Sequence, residues 1–168
     1  MINLPINAFL IARSEAADEG VEVDRIKVVP ESWPALSDTI VATIGNGIEI
    51  VQAEMSITEG EVDIDIEWQV RVDQNRSFTT FVHLGRPGEA PLATGDSTPR
   101  QGFYPTSLWR AGERFTDSYT LILPEELPAE PLSFQIGLYD PVNGARLPLS
   151  VGGERQAFDG LVVGEWER

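Results

Sequence analysis

The stretch Glu61 to Leu84, EVDIDIEWQVRVDQNRSFTTFVHL, limits the fold more than any other part of the chain. Val62, Ile64, Ile66, Trp68, Val70 and Val72 occupy every second position, with Asp63, Asp65, Glu67, Gln69 and Arg71 between them. Successive side chains of a strand point to opposite faces, so a period of two describes a strand with one dry and one wet face. The polar run Asp73-Gln74-Asn75-Arg76 follows, and then Ser77 to Leu84, rich in aromatic and β-branched residues. The expectation is a hairpin in which these two strands pair across the polar turn.

Similar short runs fill the rest of the chain. Val21 to Val29 alternates loosely and stops at Pro30. Thr39 to Ile44 and Ile48 to Ile57 flank Gly45-Asn46-Gly47, residue types that tolerate positive φ, and Thr58-Glu59-Gly60 marks the next turn. Leu92 to Thr94, Arg114 to Leu123, Leu132 to Tyr139, Arg146 to Val151 and Leu161 to Trp166 complete the series. Asn143-Gly144 predicts a hairpin between Leu132–Tyr139 and Arg146–Val151. Asp96 to Arg110 is broken by two prolines and a glycine, and reads as a long loop packed over one end of the core. Nine or ten short strands without a helical period predict an all-β, antiparallel β-sandwich, immunoglobulin-like or jelly-roll-like. Residues 1–20 read as an N-terminal arm or linker and residues 21–168 as one sandwich domain. Strand parity assigns Val62, Ile64, Ile66, Trp68, Val82, Leu84, Leu121, Ile136 and Leu138 to its core.

Charge narrows the partners. The chain of 168 residues carries a net charge of −15. Residues 1–72 hold 14 acids and 4 bases, and residues 73–168 hold 13 and 8. Nucleic acid needs basic groups to displace its counterions, so the expectation is no nucleic-acid partner. An anionic membrane surface is disfavoured in the same way. No apolar run reaches the length of a membrane helix, so no direct insertion is expected. The patch Ala8-Phe9-Leu10-Ile11-Ala12 lacks a basic flank and a small-residue cleavage site, and does not read as a signal peptide. There is no cysteine, which removes disulfides and thiolate metal sites.

Few residues have the pattern of a chemical site. His83 is the single histidine, and parity places it beside Phe81 on one strand face. A general base there needs a nucleophile and an orienting acid, for which Asp96 and Asp140 are the conceivable partners. No Gly-x-Ser-x-Gly elbow exists to supply a serine triad. Asp63, Asp65 and Glu67 project from one face at about 7 Å intervals. A single strand cannot wrap a Ca²⁺ ion, which takes six to eight oxygens, so a solvated face is the stronger reading. Glu125, Glu126 and Glu130 read the same way. Trp33, Phe103, Tyr104, Trp109 and Tyr139 lie in or beside loops, where aromatic rings either cap the sandwich or stack on sugars. Tyr104, Trp109, Arg110, Tyr139 and His83 are therefore the candidate binding residues. Trp109 is expected to plug the sandwich end, its indole N–H on a backbone carbonyl. Gly152-Gly153 lacks the lysine and helix of a phosphate loop, and no cofactor is expected.

The phrases Ile48-Glu49-Ile50-Val51, Phe81-Val82-His83-Leu84, Gly95-Asp96-Ser97, Tyr104-Pro105-Thr106-Ser107-Leu108-Trp109-Arg110-Ala111-Gly112-Glu113 and Gly137-Leu138-Tyr139-Asp140-Pro141, with Gly144-Ala145-Arg146-Leu147, occur in that order. Over residues 40–166 this resembles the C-terminal soluble β-sandwich domain of bacterial polytopic membrane proteins of the mannosyltransferase-like type. The resemblance implies an extracytoplasmic or cell-surface position beside a glycosyltransferase membrane core. It carries no catalytic residues onto this chain.

The reading that follows is a non-catalytic accessory or binding domain that contacts protein or glycan. The alternatives are a small enzyme or sugar-transfer component using His83 and loop carboxylates, and a structural module docked by its N-terminal arm. Folding is expected to be independent of Ca²⁺. An ion bound only by the native state raises the melting temperature. Adding chelator should therefore leave the melting curve unmoved, and a sharp drop would turn the Asp63 row or the Glu125 cluster into ligands.

Overall fold

A computed structural model describes residues 9–10, 26–27 and 30–166 of the chain. β1 (Phe9–Leu10) pairs antiparallel with β2 (Ile26–Lys27). The expected arm thus contains one short strand. The remaining residues of the arm, and of the strand expected over residues 21–29, lie outside the described residues. From residue 30 onward the chain is an antiparallel β-sandwich. One sheet has the order β11-β10-β3-β4-β5-β8, and the other β12-β9-β6-β7. In chain order the strands are β3 (Ala42–Ile44), β4 (Ile48–Thr58), β5 (Glu61–Val70), β6 (Thr79–Gly85), β7 (Ala93–Thr94), β8 (Arg114–Ile122), β9 (Leu132–Tyr139), β10 (Leu149–Val151), β11 (Glu154–Arg155) and β12 (Leu161–Trp166). Among the described residues no helix is long and apolar enough to cross a membrane.

Parity dictates the core. All nine residues assigned to it by alternation are buried between the sheets. The wet face of β5 is as expected at Asp63, Asp65 and Glu67, whereas Gln69 on the same face is buried. Asp63 accepts a hydrogen bond from Thr120, Asp65 from Ser118, and Glu67 a two-pronged bond from Arg114 at 2.9 and 3.0 Å. These are cross-strand pairs on the β5–β8 surface.

Two connections differ from expectation. Residues 61–72 and 77–84 do not form a hairpin. β5 pairs with β4 and β8, while β6 lies in the opposite sheet between β9 and β7. The polar run between them crosses the open end of the sandwich, held by the loop that precedes β8. Gln74 N–H donates to Trp109 O at 3.0 Å, Asp73 accepts from Ala111 N–H at 2.9 Å, and Thr106 donates to Arg76 O at 2.6 Å. Two long strands that each own one apolar face bury more surface face to face than side by side, and that decides the crossing. The expected pairing of Leu132–Tyr139 with Arg146–Val151 begins as a hairpin but does not continue. Tyr139 bridges Arg146 and Leu147 N–H reaches Leu138 O at 2.8 Å, after which β10 leaves to pair with β3.

The loop before β8 closes that end as a plug. Trp109 is wholly buried, 5.0 Å from Phe115 edge-on and 5.5 Å from Trp68, measured between ring centres. Its indole N–H donates to Tyr104 O at 3.0 Å. Tyr104 is buried as well and its hydroxyl bonds Glu113. Burial, and then the Glu113 carboxylate, push the Tyr104 phenol far above its ordinary range. Trp109→Ala should therefore lower unfolding free energy by about 3–5 kcal/mol in urea titrations, the range for a large buried aromatic. An unchanged midpoint would remove Trp109 from the core.

Candidate functional site

The outer face of the four-stranded sheet is not the wet surface that alternation suggests. Phe81 and His83 point outward from β6, opposite Gly137 and Gln135 of β9. Phe81 is nonetheless wholly buried. Gly137 makes room for its ring, since a Cβ there would stand 2.6 Å from Phe81 Cε1. The turn Asp140-Pro141-Val142-Asn143-Gly144, with Gly144 at φ 72°, returns the chain so that the Arg146 guanidinium lies 4.1 Å from the Phe81 ring centre. A 3₁₀ turn, Ala157–Asp159, covers the neighbouring ground.

These pieces enclose a pocket of about 310 Å³. Its floor is the cross-strand pair His83 and Gln135. Arg86 to Pro91, in the β6–β7 loop, form one wall, and Phe158 and Asp159 the other. His83 is fully engaged. Its Nε2 stands 3.0 and 3.2 Å from the two Asp96 oxygens, and its Nδ1 3.1 Å from Arg146 Nη2. A guanidinium only donates, so Nδ1 accepts and the ring hydrogen sits on Nε2, facing Asp96. Arg146 Nη1 also donates to Phe158 O at 2.8 Å. Desolvation lowers the Arg146 pKa from the ordinary arginine value, against the raising pull of Asp96 and Asp159.

The Phe158 wall is held under backbone strain. Phe158 has φ 64° and Asp159 φ 47°, the left-handed region that side chains with a Cβ rarely adopt. Each such residue costs on the order of 1 kcal/mol or more and persists only where its surroundings over-determine it. Asp159 supplies part of that restraint. It accepts from Arg155 at 2.9 and 2.8 Å and from Leu149 N–H at 3.2 Å. The Arg155 hydrogen bonds hold its carboxyl below the usual carboxylate range. A depressed carboxyl stabilises the fold above its unfolded value of about 3.9 and stops doing so as pH falls through the folded value.

Two buried glutamines make the decisive contrast. Gln69 is 0% exposed and satisfied: Ser37 N–H donates to its Oε1 at 2.6 Å, and its Nε2 donates to Ser37 O at 3.0 Å and Glu49 at 2.6 Å. Gln135 is 6% exposed, and among the described residues nothing hydrogen-bonds to its side chain. Its amide opens into the pocket. An amide that reaches the pocket space without a protein partner is free to donate to and accept from a molecule that enters it.

Of the residues expected to bind, only His83 lines this pocket. Tyr139 is on the same sheet face, opposite Thr79 at the end of the ladder. Tyr104 and Trp109 are inside and offer no face to a sugar ring. Arg110 is exposed but rivets its own loop, donating to Gln74 O, Ser107 O and Trp109 O at 2.9–3.0 Å. Asp140 pairs with Arg76, away from His83. Glu125, Glu126 and Glu130 are exposed. Gln135, Arg146 and Phe158 were not expected. Gln135 looks like any wet-face residue of its strand, and the one available signal was a lone aromatic in the polar run Gln156-Ala157-Phe158-Asp159-Gly160.

Comparison of the chain with protein-family models, curated proteins and solved structures finds no match. Nothing in those comparisons links it to mannosyltransferase-like proteins. Gln135→Leu keeps the side-chain volume while removing an amide without a partner. With no protein hydrogen bond to lose, it should leave unfolding free energy within about 0.5 kcal/mol in urea titrations, whereas a loss of about 1 kcal/mol or more would mean the amide is bonded in the native protein.

Proposed function

We propose that this chain is a non-catalytic binding domain, that its site is the pocket on the outer face of the four-stranded sheet, and that its ligand is a neutral glycan. One observation carries the reading. The unpaired Gln135 amide faces the same space as the Phe158 ring, which is 52% exposed. An aromatic face for the apolar side of a sugar ring, beside a group that both donates and accepts, matches the two-sided chemistry of a carbohydrate. The charges around the pocket offset one another. Arg86 and Arg146 face Glu89 and Asp159, which favours an uncharged ligand.

Binding rather than turnover is supported by the state of His83. Both ring nitrogens are occupied, and the pocket's two carboxylates, the groups that glycoside hydrolysis would use, are also engaged, Glu89 with Arg86 and Asp159 with Arg155. An extracytoplasmic setting beside a membrane glycosyltransferase, implied by the resemblance, is part of this proposal and fits a glycan ligand.

Titration of the labelled protein with soluble fragments of glucan, galactan and mannan, followed by amide chemical shifts, tests it. Shifts should gather at residues 83–91, 135 and 157–160. No shift at ~10 mM of any fragment would leave no useful affinity and overturn the glycan reading. Shifts confined to residues 104–113 would move the site to the loop before β8, and release of shorter sugars would replace binding by hydrolysis.

A further inference from the structure

The glycan reading leaves open whether the domain grips a polymer along its length or by its end. We infer that the pocket takes a single terminal ring. This rests on the reading just given and extends it to the part of the glycan recognised.

The geometry that points to an end is the meeting of the two walls. Gly88 in the β6–β7 loop has φ 86°, and a methyl group added there would overlap the Phe158 ring. The loop wall and the Phe158 wall therefore touch, and the pocket is shut on that side. A polymer bound along its length needs a cleft open at both ends. Here a chain can enter but has no exit past the Gly88–Phe158 contact. The volume of about 310 Å³ is at the lower limit of small-ligand sites, about 300–1,000 Å³.

The orientation of the ring follows from Gln135. A primary amide presents an acceptor and two donors side by side in one plane. Two adjacent hydroxyls of a pyranose present the complement, one donating and the other accepting. Gln135 takes that hydroxyl pair while Phe158 takes the apolar face of the ring. His83 and Arg146 act as positioning residues. Arg146 ties the Phe158 carbonyl to the His83 ring, and through it to Asp96, so the aromatic wall is fixed against the floor.

The test is a length series measured by calorimetry on the full chain. Free glucose, galactose and mannose are each compared with their di- and tetrasaccharides, on the native protein and on Gln135→Leu and Phe158→Ala. Recognition of one terminal ring predicts that at least one monosaccharide binds within about 3-fold of its tetrasaccharide. It also predicts that each substitution weakens binding by about 10-fold or more, the equivalent of 1.4 kcal/mol. A tetrasaccharide bound more than about 30-fold tighter than its monosaccharide overturns the terminal-ring inference and leaves glycan binding standing. Binding that survives Gln135→Leu unchanged also overturns the inference, because the hydroxyl pair then has no receptor. Silence from every sugar overturns the glycan reading itself, and this inference with it. Phe158 is half exposed. A folded Phe158→Ala, checked by its unfolding midpoint, keeps a loss of binding distinct from a loss of structure.

Discussion

The Arg146 guanidinium is where three parts of the molecule meet. Its face lies over Phe81 of the sheet, one nitrogen reaches His83, and another holds the carbonyl of Phe158. Its removal would uncover part of the outward Phe81 ring and take one restraint from the strained turn at Phe158–Asp159, which Arg155 and the Leu149 N–H also hold through Asp159. Arginine suits the position better than lysine. A planar fork can cover a ring and still donate in two directions, and a compact ammonium cannot. Desolvation of this arginine is offset by Asp96 and Asp159, which stand on opposite sides of it in the chain and raise its pKa back toward the ordinary value.

The rest of the sandwich is conventional in its energetics, and that throws the pocket into relief. Between the sheets, one parity of β4, β5, β6, β8 and β9 interlocks as a single apolar cluster. At one end, Trp68, Trp109, Tyr104 and Phe115 stack around a loop whose polar groups are bonded to its own backbone and to the 73–76 crossing. At the mouth of that end Ser37, in the segment entering from residue 35, bonds Gln69 and Arg71, and those two in turn donate to Glu49. There the buried Gln69 and Glu49 side chains are satisfied by protein partners. The Gln135 amide has no protein partner among the described residues, and it coincides with two left-handed residues and an exposed aromatic ring. Strain, an open amide and an apolar face gathered in one place are what a rigid receptor for a small polar ligand requires, because groups ordered in advance lose little freedom on binding.

Much of the fold could be read from residue types. Strict alternation in Glu61 to Val70 gave both the strand and its buried face, since a period of two leaves no other parity. Gly45-Asn46-Gly47 and Thr58-Glu59-Gly60 gave the β3–β4 and β4–β5 turns, where glycines hold positive φ. The plug at Trp109 was legible too, because an indole in a proline-broken loop has few places to go other than the end of the core.

What local sequence could not decide was which strands become neighbours, or which nominally wet faces are covered. Asp73-Gln74-Asn75-Arg76 has the composition of a hairpin turn, yet it spans two sheets. The choice between pairing side by side and stacking face to face is made by apolar area summed over both strands, which no four-residue window contains. Phe81, Gln135 and Gly137 share a parity that reads as solvent-facing. They are buried because the segment from Arg146 to Asp159 folds back over them. The sequence by itself therefore determined the strands, their turns and their apolar faces, all of which depend on contacts within a few residues. The crossing of the sheets, the roof over Phe81 and the pocket against Gln135 belonged to the tertiary structure, because each depends on surfaces brought together from distant parts of the chain.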